Sequence, residues 1–168
     1  SAVLAPSSHN TQPWRFEISE TGVSLFADRL RALPVNDPDD RELTISCGCA
    51  LFNLRIAAAH AGFNAHCMLL PDPGDEDLLA TVSFTPASGT EGRQSELFQA
   101  ITRRRTYRKR FEPKPVPSNV LTILDESAET EGACFQVLES EPARHQVAEL
   151  VAEGDAAQWS NPSWRREL

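Results

Sequence analysis

Between residues 39 and 62 an apolar or small side chain returns every third or fourth position, and this one pattern limits what the chain can become. Leu43, Cys47, Ala50, Leu51, Leu54, Ala57, Ala58 and Ala61 recur at the spacing of a helix face. Asp39 followed by Glu42 has the spacing of a capping box, with Asp in the place of Ser or Thr. Gly62 stands where such a helix should stop. Gly48, Ala50 and Ala57–Ala59 keep its surface thin enough for another helix to come close. The pattern predicts one central, largely buried helix around which the other elements are arranged.

Those elements are short. Trp14 to Ser19 alternates as a strand, Gly22 turns the chain, and Val23 to Ala27 alternates again, which reads as a hairpin. Two further strands are expected near His66–Leu70 and Leu79–Phe84, separated by an acidic turn from Pro71 to Asp77. Residues 86–94 shift to Ser, Gly, Thr and Pro, the composition of a linker. Beyond it a helix is expected over Ser95–Arg103. Pro115-Val116-Pro117 opens another through Glu129, with Val120, Leu121 and Leu124 inward. Cys134–Glu139 alternates as a strand. Glu141–Glu153 reads as a helix with Val147, Leu150 and Val151 on one face. Gln158–Leu168 carries Trp159 and Trp164 without a stop signal. The expected class is α+β, an antiparallel or mixed sheet with helices around the long central one.

A chain of 168 residues buries about 70% of its unfolded surface, enough for one sizeable core or two small ones. No uninterrupted apolar run approaches 18 residues, and no basic and apolar leader opens the chain. The reading is a soluble, cytoplasmic protein with no membrane partner. Four cysteines (Cys47, Cys49, Cys67, Cys134) are too few for a disulfide framework and are expected to be buried, inert thiols. Cys47 and Cys49 point roughly 200° apart on a helix, and the four histidines show no ligand spacing, so no metal site is expected. Ser7-Ser8-His9 has no nearby acid to orient the imidazole, which argues against a hydrolase.

Charge singles out one segment. Residues 103–114 hold seven basic side chains against the single acid Glu112, a net +6 in a chain whose total is −8, which leaves −14 on the remainder. An acidic body repels polyanions over about 8 Å in physiological salt, which disfavours a nucleic-acid partner. A small anion is still drawn to the positive segment. Arg104, Arg105 and Arg108 offer planar forks and Thr106 a hydroxyl, a donor set suited to phosphate. Far upstream, Ser7, Ser8, Asn10 and Gln12 place short donors and acceptors between Pro6 and Pro13, as the edge of a heteroaromatic ring would require. A planar ligand with one phosphate needs both stretches.

At these residues the sequence resembles the flavin-dependent nitroreductase superfamily. Pro6-Ser7-Ser8, a spacer, Asn10, a spacer and Gln12-Pro13-Trp14 match that family's loop, and Arg104-Arg105-Thr106-Tyr107-Arg108 is similar to its Arg-Arg-Ser-x-Arg motif. The usual order is reversed, because the arginine motif ordinarily comes first. A tandem fusion explains this. Residues 1–90 resemble a first nitroreductase-like repeat without its start, and 95–168 the beginning of a second, degenerate one. In that second repeat the stretch aligned with Ala5–Ile18 is Ala128–Leu138, which has lost the Ser/Asn residues. The arrangement resembles the Acg-type branch of fused, two-repeat proteins, of which this chain looks like a fragment. Asp37-Pro38, Arg41-Glu42 and Ile45-Ser46-Cys47-Gly48 also fit that branch.

The resemblance implies flavin mononucleotide (FMN) as cofactor, with NAD(P)H as a second partner and a homodimer as a compatible assembly. Pro6, Ser7, Ser8 and Asn10 would line the isoalloxazine, while Arg104, Arg105, Thr106 and Arg108 would hold the phosphate and ribityl end. No side chain is required as a general acid, because the flavin carries the chemistry. Two functions stay open on this reading: NAD(P)H-dependent reduction of nitroaromatics or quinones by ping-pong hydride transfer, and FMN binding or sequestration with little turnover.

Overall fold

Trp14, Phe16 and Ile18 alternate with Arg15, Glu17 and Ser19, and this stretch forms strand β1 (Trp14–Ser19). It pairs antiparallel with β2 (Gly22–Ala27), in register from Trp14 opposite Ala27 to Ser19 opposite Gly22. The computed structural model describes residues 1–87 and 92–168, with the side chains of 92–95 excepted. Residues 88–91, the centre of the expected linker, lie outside the described residues. The chain divides into two compact units, residues 1–105 with 163–168, and residues 106–162.

In the first unit β3 (Phe63–Leu69) and β4 (Leu78–Pro86) complete a four-stranded antiparallel sheet of order β1-β2-β4-β3. Gly22 is required at the hairpin, since a Cβ there would collide with the Val82 carbonyl oxygen of β4. The long helix α1 (Arg41–His60) lies against one face of this sheet. Leu43, Cys47, Ala50 and Leu51 from α1 meet Trp14, Leu25, Ala27, Ala80 and Val82 from the strands in one buried cluster. Burying each large side chain of this kind contributes about 1.5–3 kcal/mol. By length and composition α1 could also cross a membrane. Here its apolar face serves the core.

The helix start differs from the expected capping box. The residue before α1 is Asp40, in a left-handed conformation (φ 53°), and it makes no side-chain cap. Asp37 does that work instead, its Oδ2 accepting the Leu43 amide at 2.8 Å. Asp40 is drawn to Arg29, which also reaches Asp77 through Nε at 2.5 Å, and Glu42 turns toward Ser8. The stop at Gly62 is as expected, with the glycine at φ 84°. Helix α2 (Gly92–Arg103) begins before Ser95, and its Phe98 stacks on His60 of α1 at 3.9 Å. The tail is fastened as well. Trp164 is buried, its indole Nε1 donates to Asn36 Oδ1 at 2.6 Å, and the Glu167 carboxylate accepts the amides of Val35 and Asn36.

The second unit holds helices α3 (Ser118–Thr130) and α4 (Glu141–Ser160), the latter longer than expected. Ser140 caps α4, accepting the Ala143 amide. A last short helix, α5 (Pro162–Glu167), carries the Trp164 and Glu167 contacts described above. No residue from Thr106 to Asn161 is buried. Val120 and Leu124, expected to face inward, are exposed and Leu121 is only half-buried, while Val147, Leu150 and Val151, expected on one face of the later helix, are exposed as well. Cys134–Glu139 is not a strand. A strand needs a neighbour for its backbone groups, and this unit has no other. The buried-thiol expectation therefore fails for Cys134, and also for Cys67 on the edge strand β3, while Cys47 is buried and Cys49 half-buried.

The contrast between the units is measurable. Leu25→Ala is expected to cost about 2–5 kcal/mol in urea unfolding. Leu150→Ala, on the exposed face of α4, should change stability by less than about 0.5 kcal/mol.

Candidate functional site

The segment from Ala5 to Pro13 is held in a shape that L-residues avoid. His9, Asn10 and Gln12 have φ of 47°, 59° and 53°, each costing about 1–2 kcal/mol relative to ordinary backbone. Local hydrogen bonds offset this. Ser7 Oγ accepts the Gln12 amide at 3.0 Å, Ser7 and Ser8 carbonyls accept the Asn10 and Thr11 amides, and Thr11 Oγ1 donates to Ser8 O. The Pro13 carbonyl accepts the Asp28 amide and the Cys47 thiol. On its other side the loop meets the tail, where the Trp164 indole stands edge-on to the His9 ring at 6.4 Å.

Helix α1 fastens the middle of the loop. Ser46 Oγ accepts the Ser8 amide at 3.3 Å and donates to the Glu42 carbonyl at 2.7 Å. The Ser8 hydroxyl donates to the Glu42 carboxylate. Between loop and helix lies an open pocket of about 260 Å³, walled by Pro6, Ser7 and Ser8 on one side and by Glu42, Ile45, Ser46 and Cys49 on the other. The four helical residues fall at i, i+3, i+4 and i+7, one face of α1. A larger cavity of about 360 Å³ beside the β1–β2 turn, lined by His66, Cys67 and Val82 among others, contains none of the motif residues.

The cationic stretch enters through α2. Burial raises the Cys49 thiol above its ordinary value, and the Arg104 guanidinium partly opposes that shift, so Arg104 lies within electrostatic reach of the pocket wall. The stacking of Phe98 on His60 brings α2 against α1. Cys47, in the core and one position off the pocket face, is pushed up to about 12 by burial, with Arg29 as a weaker opposing influence.

The expected site residues thus divide. Pro6, Ser7 and Ser8 wall the pocket, and Arg104 acts on it. Asn10 is not among the wall residues. Arg105 turns back, one guanidinium nitrogen donating to the carbonyls of Thr102 and Arg104 at 2.9 and 2.8 Å. Thr106 and Arg108 belong to the second unit. Glu42, Ile45, Ser46 and Cys49 were not expected as site residues. Their signal was the polar counterpart of the helical repeat, hidden behind its apolar face. Among the described residues no group of three His, Cys, Asp or Glu side chains could hold a metal ion.

A helix-backed antiparallel sheet of this kind is a mixed α+β fold, compatible with nitroreductase-like architecture. No family model matches the chain. Over 99% of its length it is 35% identical to a Mycobacterium tuberculosis (strain ATCC 25618 / H37Rv) protein named "Putative NAD(P)H nitroreductase Rv3131", of which it covers 47%. It is 41% identical over 68% of its length to "Putative NAD(P)H nitroreductase acg" of the same strain, covering 34% of it. "Probable NAD(P)H nitroreductase PigM" of Serratia sp. (strain ATCC 39006) is 28% identical over 90% of the chain, which covers 44% of that protein. The chain belongs to the nitroreductase superfamily. It spans about half the length of the Rv3131 and PigM proteins.

The closeness of Arg104 to the pocket has a chemical readout. Arg104→Ala removes the charge that lowers the Cys49 pKa, so the thiolate fraction at pH 8 falls and alkylation by iodoacetamide slows. Cys67, exposed on β3, serves as internal reference in the same mass spectrum. An unchanged Cys49 rate would place Arg104 away from this wall.

Proposed function

We propose that the chain is part of an FMN-binding, nitroreductase-like oxidoreductase of the cytoplasm, built from a first repeat over residues 1–90 and a degenerate second repeat beginning at 95. What supports this reading is the pocket walled by Ser7 and Ser8 on one side and by Cys49 on the other, together with the influence of the Arg104 charge on the Cys49 thiol. A mostly apolar pocket between Pro6 and Ile45 suits the face of a flat ring. A guanidinium such as that of Arg104 suits a phosphate, through paired, charge-assisted hydrogen bonds.

In this proposal Pro6, Ser7 and Ser8 line the ring, with Asn10 assigned there from the loop motif. Arg104 attracts the phosphate. Arg105, Thr106 and Arg108 complete the clamp on the strength of the motif alone. When bound, FMN supplies hydride chemistry, accepting from NAD(P)H and passing electrons to a nitroaromatic or quinone. The chain's own part is to bind and orient. Pro6 and Pro13 stiffen the loop, the bonds to Glu42 and Ser46 hold Ser8 in place, and Ile45 offers an apolar surface beside the loop. No side chain of the pocket is needed to deliver a proton.

Reconstitution tests this. The chain mixed with FMN and desalted is expected to retain absorbance near 450 nm, and Arg104→Ala/Arg108→Ala to lose it while its circular dichroism is unchanged. Equal retention by both proteins would contradict the clamp. Retained flavin without oxidation of NADH or NADPH in the presence of a nitroaromatic or quinone acceptor would assign sequestration in place of reduction.

A further inference from the structure

Beyond Ile101, Trp164 in the short helix α5 is the one buried side chain among the described residues. Six residues are too few to hold a helix unaided, so α5 owes its form to what it docks on. Three contacts make that docking. The Trp164 indole Nε1 donates to Asn36 Oδ1 at 2.6 Å. Asn36 faces the indole at the expense of its own donor, because its Nδ2 is buried without a hydrogen-bond partner. Three residues on, Glu167 accepts the amides of Val35 and Asn36 at 2.9 and 2.7 Å. The third contact is the His9 ring, whose centroid lies 6.4 Å from that of Trp164 with the planes at 82°. Aromatic pairs attract at that distance and angle.

The third contact falls where the hold of α1 on the loop is interrupted. Bonds to α1 secure Ser8 and Pro13. Between them His9 and Asn10 lie in left-handed backbone, and the Asn10 amide bonds back to Ser7 of the same loop. The ring that stands against His9 is Trp164. We propose that Trp164 is a positioning residue for this loop: docked on Asn36 and set against His9, it keeps His9 and Asn10 in their left-handed shape and so fixes the course of the chain from Ser8 to Pro13. Trp164 is not among the residues walling the pocket beside α1 and acts on it only through the loop. The inference goes beyond the flavin assignment and does not depend on it, since it concerns the loop before any ligand arrives.

Nitrogen-15 relaxation of the whole chain, without ligand, tests this, because order parameters report motion within the folded state and not its stability. In the wild type, His9 and Asn10 are expected near the value of about 0.85 typical of rigid backbone, as in β2 and β4. Trp164→Ala should lower both below about 0.6 and leave the strands unchanged. Trp164→Phe, which returns a ring to face His9, should recover much of the order. Trp164→Leu, which fills space without a ring, should not. If Trp164→Ala does not fold, Glu167→Ala decides in its place: it frees the Val35 and Asn36 amides, spares the core, and should lower the same two values. A mobile loop in the wild type, unchanged loop order in the deciding variant, equal order with Leu and Phe, or a loss spread evenly over loop and strands overturns the proposal. None of these results bears on the flavin assignment, which reconstitution tests separately.

Discussion

The fastening of the segment before β1 onto the polar side of α1 is the contact on which the candidate site depends. Three residues of that segment sit in left-handed backbone, a conformation that would relax in an isolated peptide. What prevents relaxation is a set of bonds to one helix: Ser8 to Glu42 and Ser46, and Pro13 to Cys47. The strain and the bonds are of similar size, a few kcal/mol in total. The loop is therefore rigid only while α1 is in place. Because α1 is itself held by burial against the sheet, the pocket inherits its geometry from the core.

Helix α1 accordingly has two faces with separate tasks. Leu43, Cys47, Ala50 and Leu51 bury against β1, β2 and β4, while Glu42, Ile45, Ser46 and Cys49 face the loop. Small residues along the helix fit its central place, and α2 comes alongside, with Phe98 on His60. The second unit has no comparable support. Its helices carry apolar side chains, but every residue between Thr106 and Asn161 remains at least partly exposed. Apolar surface stabilises a fold only when removed from water.

Much of the first unit was legible in the sequence because its signals are local. The β1–β2 hairpin followed from alternation and Gly22, the long helix from its repeat, and its end from Gly62. The capping of α1 was not legible. Asp39 had the right spacing, but Asp37 reaches the Leu43 amide because the turn before the helix folds back. The strand expected at Cys134–Glu139 failed for a related reason, since alternation marks a sequence able to pair and says nothing of a neighbour to pair with. Of the residues that wall the candidate pocket, Pro6, Ser7 and Ser8 could be read from the loop motif. Glu42, Ser46 and Cys49 could not, since only the folded loop makes that side of α1 a wall. Arg105 shows the converse, a motif residue whose side chain turns to its own helix end.

The convergence of a neutral loop and a cationic helix end on one flat, phosphorylated ligand is tested most directly by hydrogen–deuterium exchange of the chain with and without saturating FMN. The expected result is slowed exchange in residues 7–12, along 42–49 of α1 and at 103–105, all at the same flavin concentration. Protection confined to one of these stretches, or to the cavity beside the β1–β2 turn, would contradict a shared pocket.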